Sequence, residues 1–153
     1  MTQQDILSRL QKDYETVQFV AGDTYYWSPR DKRVFYPPND QSRAGLWALL
    51  HETSHGALGH HRYRSDFELV LMEAEAWIFA QQLGASYGIS IDDDHIQDCL
   101  DSYRDWQYKR SICPTCHLGG VQINTHTYYC LFCDGQWRVS SARFCRPYRR
   151  TTK

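Results

Sequence analysis

No stretch of this chain approaches the ~18 consecutive apolar residues read as a membrane-spanning helix. Its polar opening, MTQQDILSRL, lacks the basic flank and apolar centre of a signal peptide. Low-complexity tracts are absent too, and with hydrophobic residues at 42% and charged residues at 23% the composition excludes a disordered or collagen-like chain. A cytoplasmic globular protein with no membrane partner is expected. Its 153 residues suffice for one substantial core and a small appendage. Six cysteines raise the question of a disulfide scaffold, but four of them fall as two Cys-x-x-Cys pairs. In a chain without an export signal, that pattern favours metal thiolates.

The formal charge of −1 hides an asymmetry. Residues 1–110 carry 11 Lys and Arg against 17 Asp and Glu, a net −6, whereas residues 111–153 carry 6 against 1, a net +5. Four thiolates around one Zn²⁺ would lower the second figure to about +3 and leave the C-terminal region basic. Two regions of different character are joined here.

Apolar periodicity places a short amphipathic helix at Thr2–Tyr14, with Ile6, Leu7 and Leu10 on one side. Three β-rich runs follow, Val17–Ala21, Thr24–Ser28 and Arg33–Tyr36, separated by turn sequences at Gly22-Asp23 and Ser28-Pro29-Arg30-Asp31. They predict a small antiparallel meander. Pro37-Pro38 ends the last strand, and Asp40 or Ser42 caps a helix running to about Gly59. A third helix is expected over 66–83, ended by Gly84, and a fourth over 92–110 with Asp92–Asp94 at its positive N-terminal end.

His51-Glu52-Thr53-Ser54-His55 lies on the second of these helices. Residues i and i+4 share a helix face, so both imidazoles can meet one Zn²⁺, and Glu52 can reach a water there as general base. This is the zincin signature. A catalytic zinc takes three protein ligands and leaves a fourth position open, and the spacing leaves the third ligand undecided. His61, ten residues after His51, has metzincin spacing, although Leu58 stands where that pattern requires glycine and Gly59 is beside it. Glu73 or Glu75 would instead give the gluzincin set of two His and one Glu. The two glutamates flank opposite edges of the apolar stripe formed by Leu69, Met72, Ala76, Phe79, Ala80 and Leu83.

The string from Leu49 through His55, then Gly59-His60, then Glu73-Ala74-Glu75-Ala76-Trp77-Ile78-Phe79-Ala80, resembles the ImmA/IrrE-like metallopeptidases, whose patterns are HExxHxxxGH and ExxAxxFA. The resemblance covers about residues 24–83, with Ser54, Trp77 and the short interval between motifs as departures. It implies that Glu73 is the third zinc ligand. It also implies peptide hydrolysis of a protein substrate, with zinc polarising the carbonyl and Glu52 deprotonating the attacking water. Tyr87, His95 and Tyr103 are candidates to stabilise the developing oxyanion, each with an ordinary structural or surface role as the competing reading. His60 reads as a neighbour of the ligands or a surface residue.

Cys113-Pro114-Thr115-Cys116 and Cys130-Leu131-Phe132-Cys133 are separated by thirteen residues. Each pair can wrap one side of a tetrahedral zinc, with a hairpin of Val121–Thr125 and Thr127–Cys130 between them and a third strand at Gln136–Ser140. The pattern resembles a zinc ribbon, a domain with no room for an apolar core whose order comes from its metal. His117 and His126 are spare ligands, and Cys99 and Cys145 read as ordinary thiols. Tyr128, Tyr129, Phe132, Trp137, Phe144 and Tyr148 are interleaved with Arg138, Arg143, Arg146, Arg149 and Arg150. That mixture suits base stacking and phosphate contact, with nucleic acid as a partner met through Tyr128, Trp137, Arg138, Arg149 and Arg150; the competing reading is that the aromatics pack the ribbon onto the catalytic domain and the arginines solvate a tail. A zincin followed by a ribbon is also similar to SprT-like proteases, which act on DNA-bound proteins.

The sequence thus predicts an α+β chain with a zincin-like metallopeptidase domain at 1–110, a zinc ribbon at 111–140 and a basic tail at 141–153. Two zinc ions are expected per chain, one on His51, His55 and Glu73 and one on Cys113, Cys116, Cys130 and Cys133. The rival reading is an inactive zincin that binds nucleic acid or protein through its ribbon.

Overall fold

The computed structural model describes residues 2–142 and 149–152, which form four helices and two sheets, an α+β arrangement. The chain divides into two compact units, one made of the residues up to Arg62 together with Met72–Ile96, the other of Tyr63–Leu71 together with the residues from Gln97 onward. None of the described helices is long and apolar enough to cross a membrane.

In the first unit, α1 (Gln3–Asp13) starts at a reciprocal cap: the Thr2 hydroxyl accepts from the Asp5 amide, and the Asp5 carboxylate accepts from the Thr2 amide. Its Ile6, Leu7 and Leu10 are buried. The strands β1 (Gln18–Ala21), β2 (Tyr26–Ser28) and β3 (Arg33–Tyr36) form one sheet in the order β1-β3-β2. The meander read from the sequence is therefore corrected. β2 and β3 make the expected antiparallel hairpin, but β1 pairs with β3 in parallel, Gln18 opposite Arg33 through Ala21 opposite Tyr36. Gly22–Tyr25 carries the chain across the end of β3 to the far side of the sheet, and the Gly22 amide donates to the Tyr36 carbonyl. β2 is thereby an edge strand.

The helix α2 (Arg43–Leu58) packs on β2 and β3. Ser42 is its cap, the hydroxyl accepting from the Gly45 amide, while Asp40 accepts from the Ser42 amide. It stops at Gly59, whose φ of 67° suits a residue without a Cβ, and the His60 amide returns to the His55 carbonyl at 2.9 Å.

The third helix, α3 (Asp66–Ser86), passes the expected stop at Gly84. Its end is set instead by Gly88 at φ 72°, with Ile89 bonded back to the Gly84 carbonyl; a Cβ on Gly84 would lie 2.9 Å from the Ile89 carbonyl oxygen. Glycine at 84 serves close approach rather than termination. The fourth helix, α4, spans Asp93–Ser111 with Asp93 and Asp94 in its first turn.

The second unit holds a four-stranded antiparallel sheet, β4 (Val121–Asn124), β5 (Thr127–Tyr129), β6 (Gln136–Val139) and β7 (Arg149–Thr152), in sequence order. The expected tail is thus a fourth strand over Arg149–Thr152, whereas Arg143, Phe144, Cys145, Arg146 and Tyr148 lie outside the described residues. A small apolar core exists after all: Trp137, Tyr128 and Val139 are buried with Cys113 and Cys130. Beside it lies a buried ion pair, Asp66 with Arg110, at 2.6 Å. Asp66 also accepts from the Tyr128 hydroxyl at 2.6 Å and from Gln122, and Arg110 donates to the carbonyls of Thr125 and Ser140. This network ties the start of α3 and the end of α4 to the ribbon. Residue 110 falls inside the second unit.

Candidate metal centres

One turn of α2 separates His51 from His55, and their Nε2 atoms converge to 3.1 Å. Glu73, on α3, completes the set: its Oε2 lies 3.1 Å from His51 Nε2 and its Oε1 3.6 Å from His55 Nε2. All three residues are buried. Two donors at the Zn–N and Zn–O lengths of about 2.0–2.1 Å, in tetrahedral directions, stand ~3.3–3.4 Å apart. The observed 3.1, 3.1 and 3.6 Å bracket that edge length, and the donor set of two imidazoles and one carboxylate fits a catalytic zinc with an open fourth position. Burial pushes the Glu73 carboxyl up, but the adjoining His51 and His55 imidazoles outweigh it and hold the group far below the ordinary carboxylate range. Glu73 is thus a buried anion facing two imidazoles.

The polar residues between the two histidines satisfy themselves within the helix. The Thr53 and Ser54 hydroxyls donate to the Leu49 and Leu50 carbonyls, both at 2.7 Å, so their burial leaves no unmet donor. Glu52 is held from outside the helix. Its Oε2 accepts the backbone N–H of Trp27 at 2.8 Å, an amide on edge strand β2. The Trp27 indole in turn donates to the His60 carbonyl at 2.8 Å.

The two histidines have different supports. The His51 ring stacks on Trp77 at 4.1 Å and 24°, and among the described residues neither His51 Nδ1 nor Trp77 Nε1 has a hydrogen-bond partner. His55 Nδ1 meets His60 Nδ1 at 2.8 Å, and His60 Nε2 lies 3.3 Å from Glu75. Burial, followed by the proximity of His55, lowers the His60 pKa against the opposing pull of Glu75.

His61 is exposed, its Nδ1 facing the Gly59 carbonyl at 3.1 Å, and it stands outside this cluster. Glu75 also stands outside, with its side chain 63% exposed. Among the oxyanion candidates, Tyr87 is committed to Asp13 at 2.5 Å. His95 packs against Trp47 and Trp77, and the Trp77 ring also contacts His51. Tyr103 lies in the second unit. The roles of Trp27 and Trp77 escaped sequence reasoning: a backbone amide has no residue signature, and an indole in an apolar stripe reads as core.

Cys113, Cys116, Cys130 and Cys133 gather their four Sγ atoms within 4.8 Å of one another. The separations are 3.6 Å for Cys113 to Cys133 and 3.4 Å for Cys116 to Cys130, far beyond a disulfide bond and close to the ~3.8 Å edge of a tetrahedron with 2.3 Å Zn–S bonds. The two turns match locally. His117 and Asp134, each directly after the second cysteine of a pair, take positive φ of 61° and 55°. Burial raises the Cys113 thiol, but the amides of Cys116 and Thr115 draw it down to about 6. At Cys133 the Gly135 amide lowers the thiol, while the neighbouring sulfurs, Cys113 first, push it up to about 12. Four thiolates this close need a cation to offset their repulsion, which suits a closed structural zinc. His117 and His126 are not in the cluster.

The expected stacking residues are a correction. Trp137 and Tyr128 are 0% and 2% exposed, stacked on each other at 5.6 Å and hydrogen-bonded to the Arg110 carbonyl and to Asp66. Their rings belong to the ribbon core and present no face to a base. Arg149 donates to the Ile112 carbonyl at 2.6 Å. Arg138 and Arg150 remain exposed and pair directly across β6 and β7. A scan of family models, a search of curated proteins and a search of solved structures each find no match to this chain.

Proposed function

We propose that this protein is a zinc-dependent peptidase of the zincin class, similar to the ImmA/IrrE-like enzymes, that hydrolyses peptide bonds in a protein substrate. The observation that carries the reading is the convergence of His51, His55 and Glu73 at zinc-ligand spacing, with the Glu52 carboxylate anchored on an edge-strand amide. His51, His55 and Glu73 would hold a zinc ion, which would supply Lewis acidity toward the scissile carbonyl and ease deprotonation of a water near neutral pH. Glu52 takes up that proton and returns it to the leaving amine. Trp27 fixes the carboxylate, and the Trp77 ring and His60 fix the two imidazoles. A reducing compartment such as the cytoplasm suits a cluster that needs all four ribbon cysteines as thiols.

The test is cleavage of a peptide and unfolded-protein panel by protein purified with its zinc. Activity should vanish when a chelator empties the His51, His55 and Glu73 site and return with one equivalent of zinc. Inactivity of protein holding both ions contradicts the reading.

A second reading, binding of nucleic acid by the ribbon without turnover, is favoured by one observation, the cross-strand pairing of exposed Arg138 and Arg150. It requires affinity that falls steeply with salt and weakens in the Arg138→Ala, Arg150→Ala double variant.

A further inference from the structure

We infer that His60 and Glu75 form a positioning relay behind the first metal centre, in which His60 fixes the tautomer of His55 and Glu75 fixes that of His60. The inference rests on the zinc-site reading above. It starts from two separations: His55 Nδ1 to His60 Nδ1 at 2.8 Å, and His60 Nε2 to Glu75 Oε2 at 3.3 Å.

Proton counting leaves one assignment for two neutral rings. A carboxylate only accepts, so His60 Nε2 carries a proton and donates it to Glu75. His60 Nδ1 is then a bare acceptor, and the 2.8 Å contact requires the proton to sit on His55 Nδ1. His55 Nε2 is thereby left as a lone pair, aimed toward His51 Nε2 and Glu73 at 3.1 and 3.6 Å. The reverse assignment sets His60 Nε2 against the carboxylate with two lone pairs facing. It also points a proton from His55 into the ligand cluster.

The backbone around His60 is as constrained as its ring. Gly59, at φ 67°, turns the chain so that the His60 amide reaches the His55 carbonyl, and the His60 carbonyl accepts the Trp27 indole N–H. His60 is 8% exposed, whereas the Glu75 side chain is 63% exposed. The relay therefore runs from buried His55 to the surface in two polar contacts, a hydrogen bond to His60 and an ion-pair contact at 3.3 Å to Glu75. The two glutamates of Glu73-Ala74-Glu75 divide the work: Glu73 is placed as a ligand, and Glu75 supports one from behind. Hydrogen-bonded carboxylates and carbonyls behind ligating histidines commonly raise metal affinity by fixing ring and tautomer; here a second imidazole carries that role.

The test is competition of the full-length protein for zinc against a chromophoric chelator, together with the nitrogen chemical shifts of His55. Wild type should hold two zinc ions, with His55 carrying its proton on Nδ1. His60→Ala should weaken one of the two sites by about 10–100-fold and leave the other unchanged. His60→Asn, which retains an acceptor near the Nδ1 position, should recover most of the loss; Glu75→Ala should weaken the same site, and His61→Ala should have no effect. Two zinc ions in wild type with unaltered affinity in folded His60→Ala and Glu75→Ala overturn the relay and leave the zinc centre standing. A wild type holding only the thiolate-bound ion overturns both.

Discussion

Glu73 and Glu75 are two residues apart on one helix, yet one is buried against two imidazoles and the other projects its carboxylate to solvent. The first metal centre depends on that difference. Glu73→Ala should therefore remove one zinc per chain, whereas His61→Ala should retain both, as read by elemental analysis; loss of zinc in His61→Ala with retention in Glu73→Ala reverses the ligand assignment. Affinity at this site should fall on acidification, because protons compete for the two imidazoles and the carboxylate. The sequence made the helical pair His51 and His55 plain, since i,i+4 spacing fixes a shared face. Periodicity could not separate the two glutamates, because each sits at an edge of the apolar stripe, and the choice of Glu73 came only from the family resemblance; the packing of Ala76, Trp77 and Ala80 shows which edge is covered. The partners of Glu52 and His51, a backbone amide and an indole ring, have no pattern that a single sequence reveals.

At the scale of elements, caps and turns were legible and pairings less so. Ser42 and Gly59 mark the ends of α2 by chemistry that acts within a few residues, whereas the cap at Thr2 escaped sequence reasoning and Gly84 does not end α3. Parallel pairing of β1 with β3 is not written in the strands, since alternation and turn residues are equally consistent with a meander. The same limit hid the Asp66 to Arg110 pair, whose partners are 44 residues apart and read singly as a helix-start acid and a helix-end base. That pair sits with Asp66 0% and Arg110 1% exposed. Asp66→Ala would leave Arg110 buried without its counter-charge and deprive Tyr128 and Gln122 of an acceptor, so unfolding stability should fall by ~3–5 kcal/mol. Tyr128→Phe removes one hydrogen bond to a charged acceptor and should cost ~1.5–3 kcal/mol. Urea titrations check both, and a loss under 1 kcal/mol for Asp66→Ala would show that the network contributes little.

For the molecule as a whole, two donor sets of different chemistry are each compatible with a metal ion, and the proposed function assigns the two different roles. The thiolate site should govern folding of the ribbon, because among the described residues its core has only three apolar side chains beside the cysteines. Cys130→Ser should lower zinc content by one and make the ribbon sensitive to proteolysis, while leaving the other ion in place. The central claim is that the histidine and glutamate site performs chemistry, and the Glu52→Gln variant tests it most directly. This substitution keeps the size of the side chain and an oxygen to accept the Trp27 amide, so the variant should fold and hold two zinc ions like wild type. Cleavage of a protein substrate, followed by mass spectrometry of the new termini, should fall by ~10²–10⁴-fold in the variant, because no carboxylate remains to take the proton from the attacking water. Equal cleavage by the two proteins, or none by wild type carrying both ions, would contradict the account.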